Sequence, residues 1–255
     1  MNESFSLRKM PTATTIQVWT IDLDEPLNPE ANLDDILSVE ERTRAESFLF
    51  SRDASRFRLS RAMLRLGLAW YLETTPKKIA LTTNRHGKPC IAEPAALHFN
   101  VSHSGGLGAI AFSTAGEVGI DVEAIQRDVE ALEIATANFT GTEAAMVAAA
   151  RTPQEQARIF LRLWTRKEAV LKAAGCGLLG GLEGFDVSQE PLDRVRLCSA
   201  TGDCAESYWR VQDLEPVDGY AGAVAAAAEA WSVTQRPVRF EEAVRGSAGG
   251  TRVAH

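Results

Sequence analysis

From Thr152 to Gly175 the chain reads as one long amphipathic helix, and a single acid interrupts its pattern. Thr152-Pro153-x-Glu155 combines a capping box with proline at the first helical position, and Gly175 is a stop signal. Ala157, Phe160, Leu161, Trp164 and Leu171 fall on one face, so a core must lie beneath it. Glu168 comes four residues after Trp164 and three before Leu171, which puts it on that face rather than opposite it. A carboxylate facing a core must be paired or bind a metal, because burying a lone charge is costly. Lys172, four residues further on, offers the plainer alternative of a helical Glu–Lys pair worth about 0.3–0.5 kcal/mol.

The remaining elements are short. Ile16–Leu23 alternates and is β-branched, so it predicts a strand. Asn32 to Leu72 is helical in pattern, with a capping box at Ser38 and Glu41. Its second helix runs from about Arg52, with Leu59, Met63, Leu66 and Trp70 on one stripe. Asn84–Pro89 is a turn, and strands are expected at His98–Ser102, Gly108–Phe112 and Val118–Val122. Thr140-x-x-Glu143 opens a helix through Ala150. Trp209–Leu214 and Tyr220–Ala228 suggest a closing hairpin, although alanine in the second piece favours helix. Gly108-Ala109-Ile110-Ala111 and Gly222-Ala223-Val224-Ala225 echo each other, which is compatible with two similar lobes in tandem. A length of 255 residues suits one large domain or two small ones, at roughly 150 residues each. From about Arg236 the Gly- and Ala-rich sequence has no period and is expected to be a loose tail.

With 27 Lys and Arg against 34 Asp and Glu, the net charge is −7, which argues against a general nucleic-acid binder. The four cysteines have no C-x-x-C spacing, so neither a zinc site nor a redox motif is suggested. The first nineteen residues hold no apolar signal core, and the longest apolar run is too short to cross a bilayer. The expectation is a reduced, cytoplasmic protein. Asp121 and Glu123 share one face of an apolar strand. That face is either solvated or shared by a divalent cation such as Mg²⁺. Asn100–Gly105 ends a strand with hydrogen-bonding side chains before glycine, either an ordinary turn or a phosphate cradle. Arginine is concentrated between Arg42 and Arg65. There Arg58, Arg61 and Arg65 make a stripe expected to be mostly solvated, with one or two arginines free for a phosphorylated ligand.

Together FNVSHS at 99–104, GIDVE at 119–123 and WTRKEAVLKAAGCGL at 164–178 resemble the two-lobed 4′-phosphopantetheinyl transferases of the surfactin-synthetase-activating type. The turn Arg85-His86-Gly87-Lys88-Pro89 and the helix start Phe139-Thr140-x-x-Glu143 are similar to that family too, and the match runs from about Glu40 to Val187. The resemblance implies transfer of 4′-phosphopantetheine from coenzyme A to a serine of an apo carrier protein, releasing adenosine 3′,5′-bisphosphate. It implies Asp121, Glu123 and Glu168 as ligands of Mg²⁺, or of Mn²⁺, which also accepts oxygen donors. It makes Glu168 the general base on the serine, directly or through a metal-bound water. Asp121 and Lys172 would complete the catalytic group, with Lys172 on the phosphate whose bond changes. Ser102 and His103 would hold pyrophosphate or 3′-phosphate oxygens, Lys88 would lie near the adenosine end, and Arg44 would be the 3′-phosphate arginine. Thr83 stands where some relatives carry a basic residue, with Arg85 nearby. The implied fold is α+β: two lobes, each a small antiparallel sheet with a long helix, related by pseudo-two-fold symmetry. On that reading residues 1–116 form the first lobe, 117–235 the second and 236–255 a flexible tail. One chain then supplies both sides of the site, so a monomer is expected, without nucleic acid or membrane as partner. A Mg²⁺-dependent nucleotide phosphohydrolase and a non-catalytic coenzyme A-binding module are the alternatives.

Overall fold

The computed structural model describes residues 15–28, 31–93, 95–125, 130–175, 181–197, 207–227 and 230–248. Cys176, Cys198, Cys204 and Ala228, considered above, lie outside them. The fold is α+β. In the first half, strand β1 (Thr15–Asp22) is followed by helices α1 (Val39–Glu46) and α2 (Ser51–Tyr71). A small hairpin, β2 (Leu81–Thr83) with β3 (Pro89–Ile91), comes next, and then β4 (His98–Ser104) and β5 (Leu107–Ser113). In the second half, β6 (Val118–Ala124) leads into helices α3 (Ala131–Asn138), α4 (Gly141–Ala148) and α5 (Pro153–Ala174). Strands β7 (Val195–Leu197), β8 (Ser207–Asp213), β9 (Tyr220–Ala226) and β10 (Ser232–Pro237) and helix α6 (Phe240–Ala248) complete it.

Two four-stranded sheets result, ordered β10-β1-β5-β4 and β6-β9-β8-β7. All pairings are antiparallel except β1 with β10, which is parallel. Each sheet has its own core. Trp19, Met63, Leu66, Phe112 and Phe240 belong to the first, and Phe160, Leu163, Leu171, Phe185 and Trp209 to the second. A third cluster, including Ile16, Val18, Ile120, Val122 and Val224, joins residues of both sheets.

Local signals formed as the sequence predicts. Ser38 and Thr140 each accept from the backbone of Glu41 and Glu143, whose side chains return the bond. Thr152 caps α5, and Gly175 ends it in the left-handed conformation at φ 70°. The alanine-rich stretch is strand β9, because its register against β6 and β8 overrides alanine's helical preference.

Three expectations need correction. Residues 236–248 are not a loose tail. Val238, Phe240 and Ala243 are buried in the first core, and α6 packs against α2. Three buried apolar residues and a helix stand where the sequence shows no period. Arg65 is not solvated: it is 4% exposed, and its guanidinium donates to Glu41 at 2.5 Å and to the Pro76 and Ile79 carbonyls at 3.0 Å. Arg61 sits 3.2 Å from the same carboxylate. Finally, α5 is buried beyond its apolar stripe, with Arg166 and Lys167 also enclosed.

Candidate active site at the junction of the two sheets

Strands β4 and β6 lie side by side where the two sheets meet, and side chains rather than backbone carbonyls join them. Asn100 Oδ1 accepts from the Ile120 amide at 2.9 Å, Ser102 Oγ from Val122 at 3.3 Å and Ser104 Oγ from Ala124 at 3.1 Å. Alternation puts these three residues on one side of β4. The same alternation brings Asp121 and Glu123 of β6 to them. Ser102 donates to Asp121 at 2.9 Å, and Ser104 donates to Glu123 at 2.7 Å.

Helix α5 delivers the remaining groups. A Cβ at Gly119 would overlap the Ala169 carbonyl oxygen and the Ala173 amide, so only glycine lets α5 lie this close to β6. Lys172 then reaches across: its ammonium donates to Asp121 at 2.6 Å and to Ser102 at 3.2 Å. The alternative of a Glu168–Lys172 pair within the helix gives way to a pair between helix and strand. Asp121 Oδ2 and Glu168 Oε1 are both buried without a hydrogen-bond partner. Burial, reinforced by the charges of Asp121 and Glu123, pushes the Glu168 carboxyl up to about 7 against the pull of Lys172. Burial also raises Asp121, opposed by Lys172 and Ser102, and raises Glu123, opposed by Ser104.

His103 projects from the other side of β4, and its imidazole is pushed down by desolvation and by the positive charges of Lys172 and Arg56. Arg56 was legible only as one member of the arginine-rich stretch. Its guanidinium grips Asp24 with two bonds, at 2.8 and 2.5 Å.

Two predicted residues stand apart. Lys88 donates to Glu117 at 2.5 Å and to the Val118 carbonyl at 3.2 Å, at the beginning of β6. It borders a cavity of about 440 Å³ whose lining includes Asn84, His98, Phe99, Glu117 and Gly175. Arg44 is exposed on α1, over the Phe48 ring at 5.4 Å and 3.4 Å from the Ser47 hydroxyl. Among the described residues, no hydrogen bond or ion pair joins Arg44 or Lys88 to the carboxylate cluster.

The two cations preceding Glu168 belong to the scaffold. Arg166 donates to Asp213 at 2.6 and 2.7 Å, to Glu190 at 2.7 Å and to the Val187 carbonyl at 2.9 Å. Lys167 is fully enclosed by Glu143 at 2.8 Å, the Leu182 carbonyl at 2.6 Å and the Phe185 carbonyl.

The donor chemistry fits a divalent cation in part. Asp121, Glu123 and Glu168 against Lys172 leave two negative charges when all are ionised, and two of their oxygens are buried and unpartnered. Among the described residues, no three His, Cys, Asp or Glu side chains already converge as a cation cage. No described helix is long and apolar enough to cross a membrane.

Comparison with known proteins gives the same answer for both halves of the chain. Residues 29–115 match the model of the N-terminal region of 4′-phosphopantetheinyl transferase, and residues 117–225 match the 4′-phosphopantetheinyl transferase superfamily model. The 4′-phosphopantetheinyl transferase HetI of a Nostoc species is 32% identical over 85% of this chain and 89% of its own length. Sfp, the 4′-phosphopantetheinyl transferase of Bacillus subtilis, is 31% identical over 89% of this chain and 99% of its own. A third relative of that name from Bacillus pumilus is 30% identical over 74% of this chain and 80% of its own. On these matches, the chain belongs to the 4′-phosphopantetheinyl transferase superfamily and is of the Sfp-like type.

Proposed function

We propose that this chain transfers the 4′-phosphopantetheine group of coenzyme A to a serine of an apo carrier protein at the junction of β4, β6 and α5. The observation that carries this reading is the Lys172–Asp121 pair within electrostatic reach of Glu168, with one buried oxygen on each of the two carboxylates lacking a partner. Asp121, Glu123 and Glu168 would hold the divalent ion, Mg²⁺ or Mn²⁺. When bound, that ion supplies charge neutralisation to the pyrophosphate as the phosphoanhydride breaks.

The chain's own residues do the rest. Glu168 Oε1 accepts the proton of the carrier serine as its oxygen forms a bond to the phosphorus bearing the pantetheine arm. The bond between that phosphorus and the bridging oxygen breaks, and adenosine 3′,5′-bisphosphate leaves with the electron pair. Burial and the neighbouring carboxylates raise this carboxyl, which makes its ionised form a stronger proton acceptor than a solvated glutamate. Lys172 turns its ammonium to the transferring phosphate, from a position already shared with Asp121 and Ser102. His103, with the Lys172 and Arg56 charges close by, takes a pyrophosphate or 3′-phosphate oxygen. The Ser102 hydroxyl proton points at Asp121, so we assign Ser102 to orienting that carboxylate rather than to binding phosphate. Lys88, beside its cavity, is assigned to the adenosine end, and exposed Arg44 to the 3′-phosphate. Because β4 and α5 come from opposite halves of one chain, a single chain supplies both sides of the site, which supports a monomer, and its setting is taken as cytoplasmic.

The test is incubation with coenzyme A, Mg²⁺ and a panel of apo carrier proteins, followed by weighing the carriers. The expected result is a carrier heavier by one phosphopantetheine arm, with Glu168→Gln about 10²- to 10⁴-fold slower. Coenzyme A hydrolysis with no carrier modified would overturn the transferase in favour of a hydrolase. Coenzyme A binding without any turnover would favour a binding module.

A further inference from the structure

We infer that Ser104 is a positioning residue for Glu123, the third rung of a side-chain ladder that aims the carboxylates while it joins the two sheets. The inference rests on Glu123 serving the divalent ion, as proposed above.

A serine hydroxyl has one proton and two lone pairs. The Ala124 N–H points at Ser104 Oγ and uses a lone pair at 3.1 Å. The hydroxyl proton must therefore go to another acceptor, and Glu123 Oε2 lies 2.7 Å away. Ser102 repeats the arrangement two residues earlier: its lone pair meets Val122 N–H and its proton goes to Asp121. Each serine thus receives the amide of residue j+1 and serves the carboxylate of residue j on β6. Asn100 begins the row in the same way, accepting from Ile120, but there the neighbour is Gly119 and no acid needs aiming.

Two consequences follow. The rungs bond β4 to β6 without the usual backbone pairing, so the carboxylates are held in register with the junction itself. A hydrogen bond to a ligating carboxylate fixes its orientation, and removing such a bond costs about 10- to 100-fold in metal affinity. Ser104 differs from Ser102 in a useful respect, because Lys172 also contacts Ser102 but makes no described bond to Ser104. Its effect therefore runs through Glu123 or through the Ala124 bond, not through Lys172.

The experiment measures Mn²⁺ binding to the full chain by the free-ion electron paramagnetic resonance signal, with and without coenzyme A. It compares Ser104→Ala, Ser104→Thr, Glu123→Gln and the Ser104→Ala/Glu123→Gln double variant, each with its thermal midpoint. Ser104→Ala is expected to weaken Mn²⁺ about tenfold. Ser104→Thr, which keeps the hydroxyl, restores it. On the Glu123→Gln background the serine change adds no further loss. Unchanged Mn²⁺ affinity in Ser104→Ala, or the same loss with and without Glu123, overturns the positioning role and leaves a joint between sheets. If Glu123→Gln itself leaves Mn²⁺ binding unchanged, the assignment of Glu123 to the ion fails instead.

Discussion

Two lysines five residues apart on α5 each meet a carboxylate, and the two encounters differ in one respect. Lys167 and Glu143 are both fully buried, and every strong group they carry is engaged. Glu143 accepts from the Thr140 amide and hydroxyl at 3.0 Å and from the Val187 amide at 2.9 Å, while Lys167 also serves two carbonyls. Lys172 and Asp121 form a pair of similar length, but an oxygen of Asp121 and an oxygen of neighbouring Glu168 are left over. A satisfied buried network fixes α4 and α5 against the segment 182–187; an incomplete one leaves room for something to bind. One helix therefore carries its anchor and its reactive end on adjacent turns.

The comparison can be broken most forcefully at the anchor. Glu143→Ala leaves the Lys167 ammonium buried without its charge partner and is expected to cost about 3–5 kcal/mol. The shift is read from the denaturant midpoint. Replacing both partners with methionine is expected to cost less than the single change, because no buried charge remains. A double variant as unstable as the single one would mean that packing, not charge, dominates there.

A smaller loss is expected where α5 meets β6. Gly119→Ala forces the strand away from the Ala169 carbonyl, at about 1–3 kcal/mol of overpacking. It also moves Glu168 and Lys172 away from Asp121, so kcat is expected to fall by more than the loss of stability alone accounts for. Full activity in a folded Gly119→Ala protein would show that the close approach is not needed for the site.

The smallest change in stability sharpens the contrast from the other side and carries a pH signature. The Glu168 carboxyl is raised to about 7 in the fold, against about 4.3 in an unfolded chain. Its protonated form is favoured by folding, so this contribution is complete below about pH 4.3 and is lost as pH rises through 7. Asp121, Glu123 and Lys172 face it throughout that range. With a chelator present, Glu168→Gln is expected to equal the parent near pH 4. Above pH 7 it should be more stable by about 1–2 kcal/mol, a figure reduced for partial solvent screening. Thermal midpoints at both ends of the range check the sign, and a Gln variant less stable at pH 8 would refute it. The same substitution removes the proposed base, so stability and turnover should move in opposite directions.

How far the sequence was legible follows from the range of each interaction. Capping at Ser38, Thr140 and Thr152 and the stop at Gly175 depend on residues a few positions apart, and all four form. Glu168 was conspicuous because an acid stood on an apolar face. The burial of Arg65 and Lys167 was not legible, because their partners Glu41 and Glu143 lie 24 residues away in sequence in each case. Neither was the task of Ser104, which exists only once β4 and β6 are neighbours. One signal was available: Asn100, Ser102 and Ser104 alternate in the same period as Asp121 and Glu123. Strand β10 and helix α6 were not legible because the elements they pack on, β1 and α2, lie far earlier in the chain.

That last strand has a consequence for how the molecule can be taken apart. β10 follows the whole second half of the chain, yet it lies parallel against β1, shielding that strand's outer edge, and the Val238 amide extends the pairing to Thr20 at 2.9 Å. A cut between the halves, near Gly116, would leave the first fragment with a bare, apolar sheet edge open to intermolecular pairing. The second fragment would carry a strand with nothing to pair against. Split-protein reporters and domain swaps built at that seemingly natural boundary should therefore aggregate as separate pieces and recover only when both are produced together.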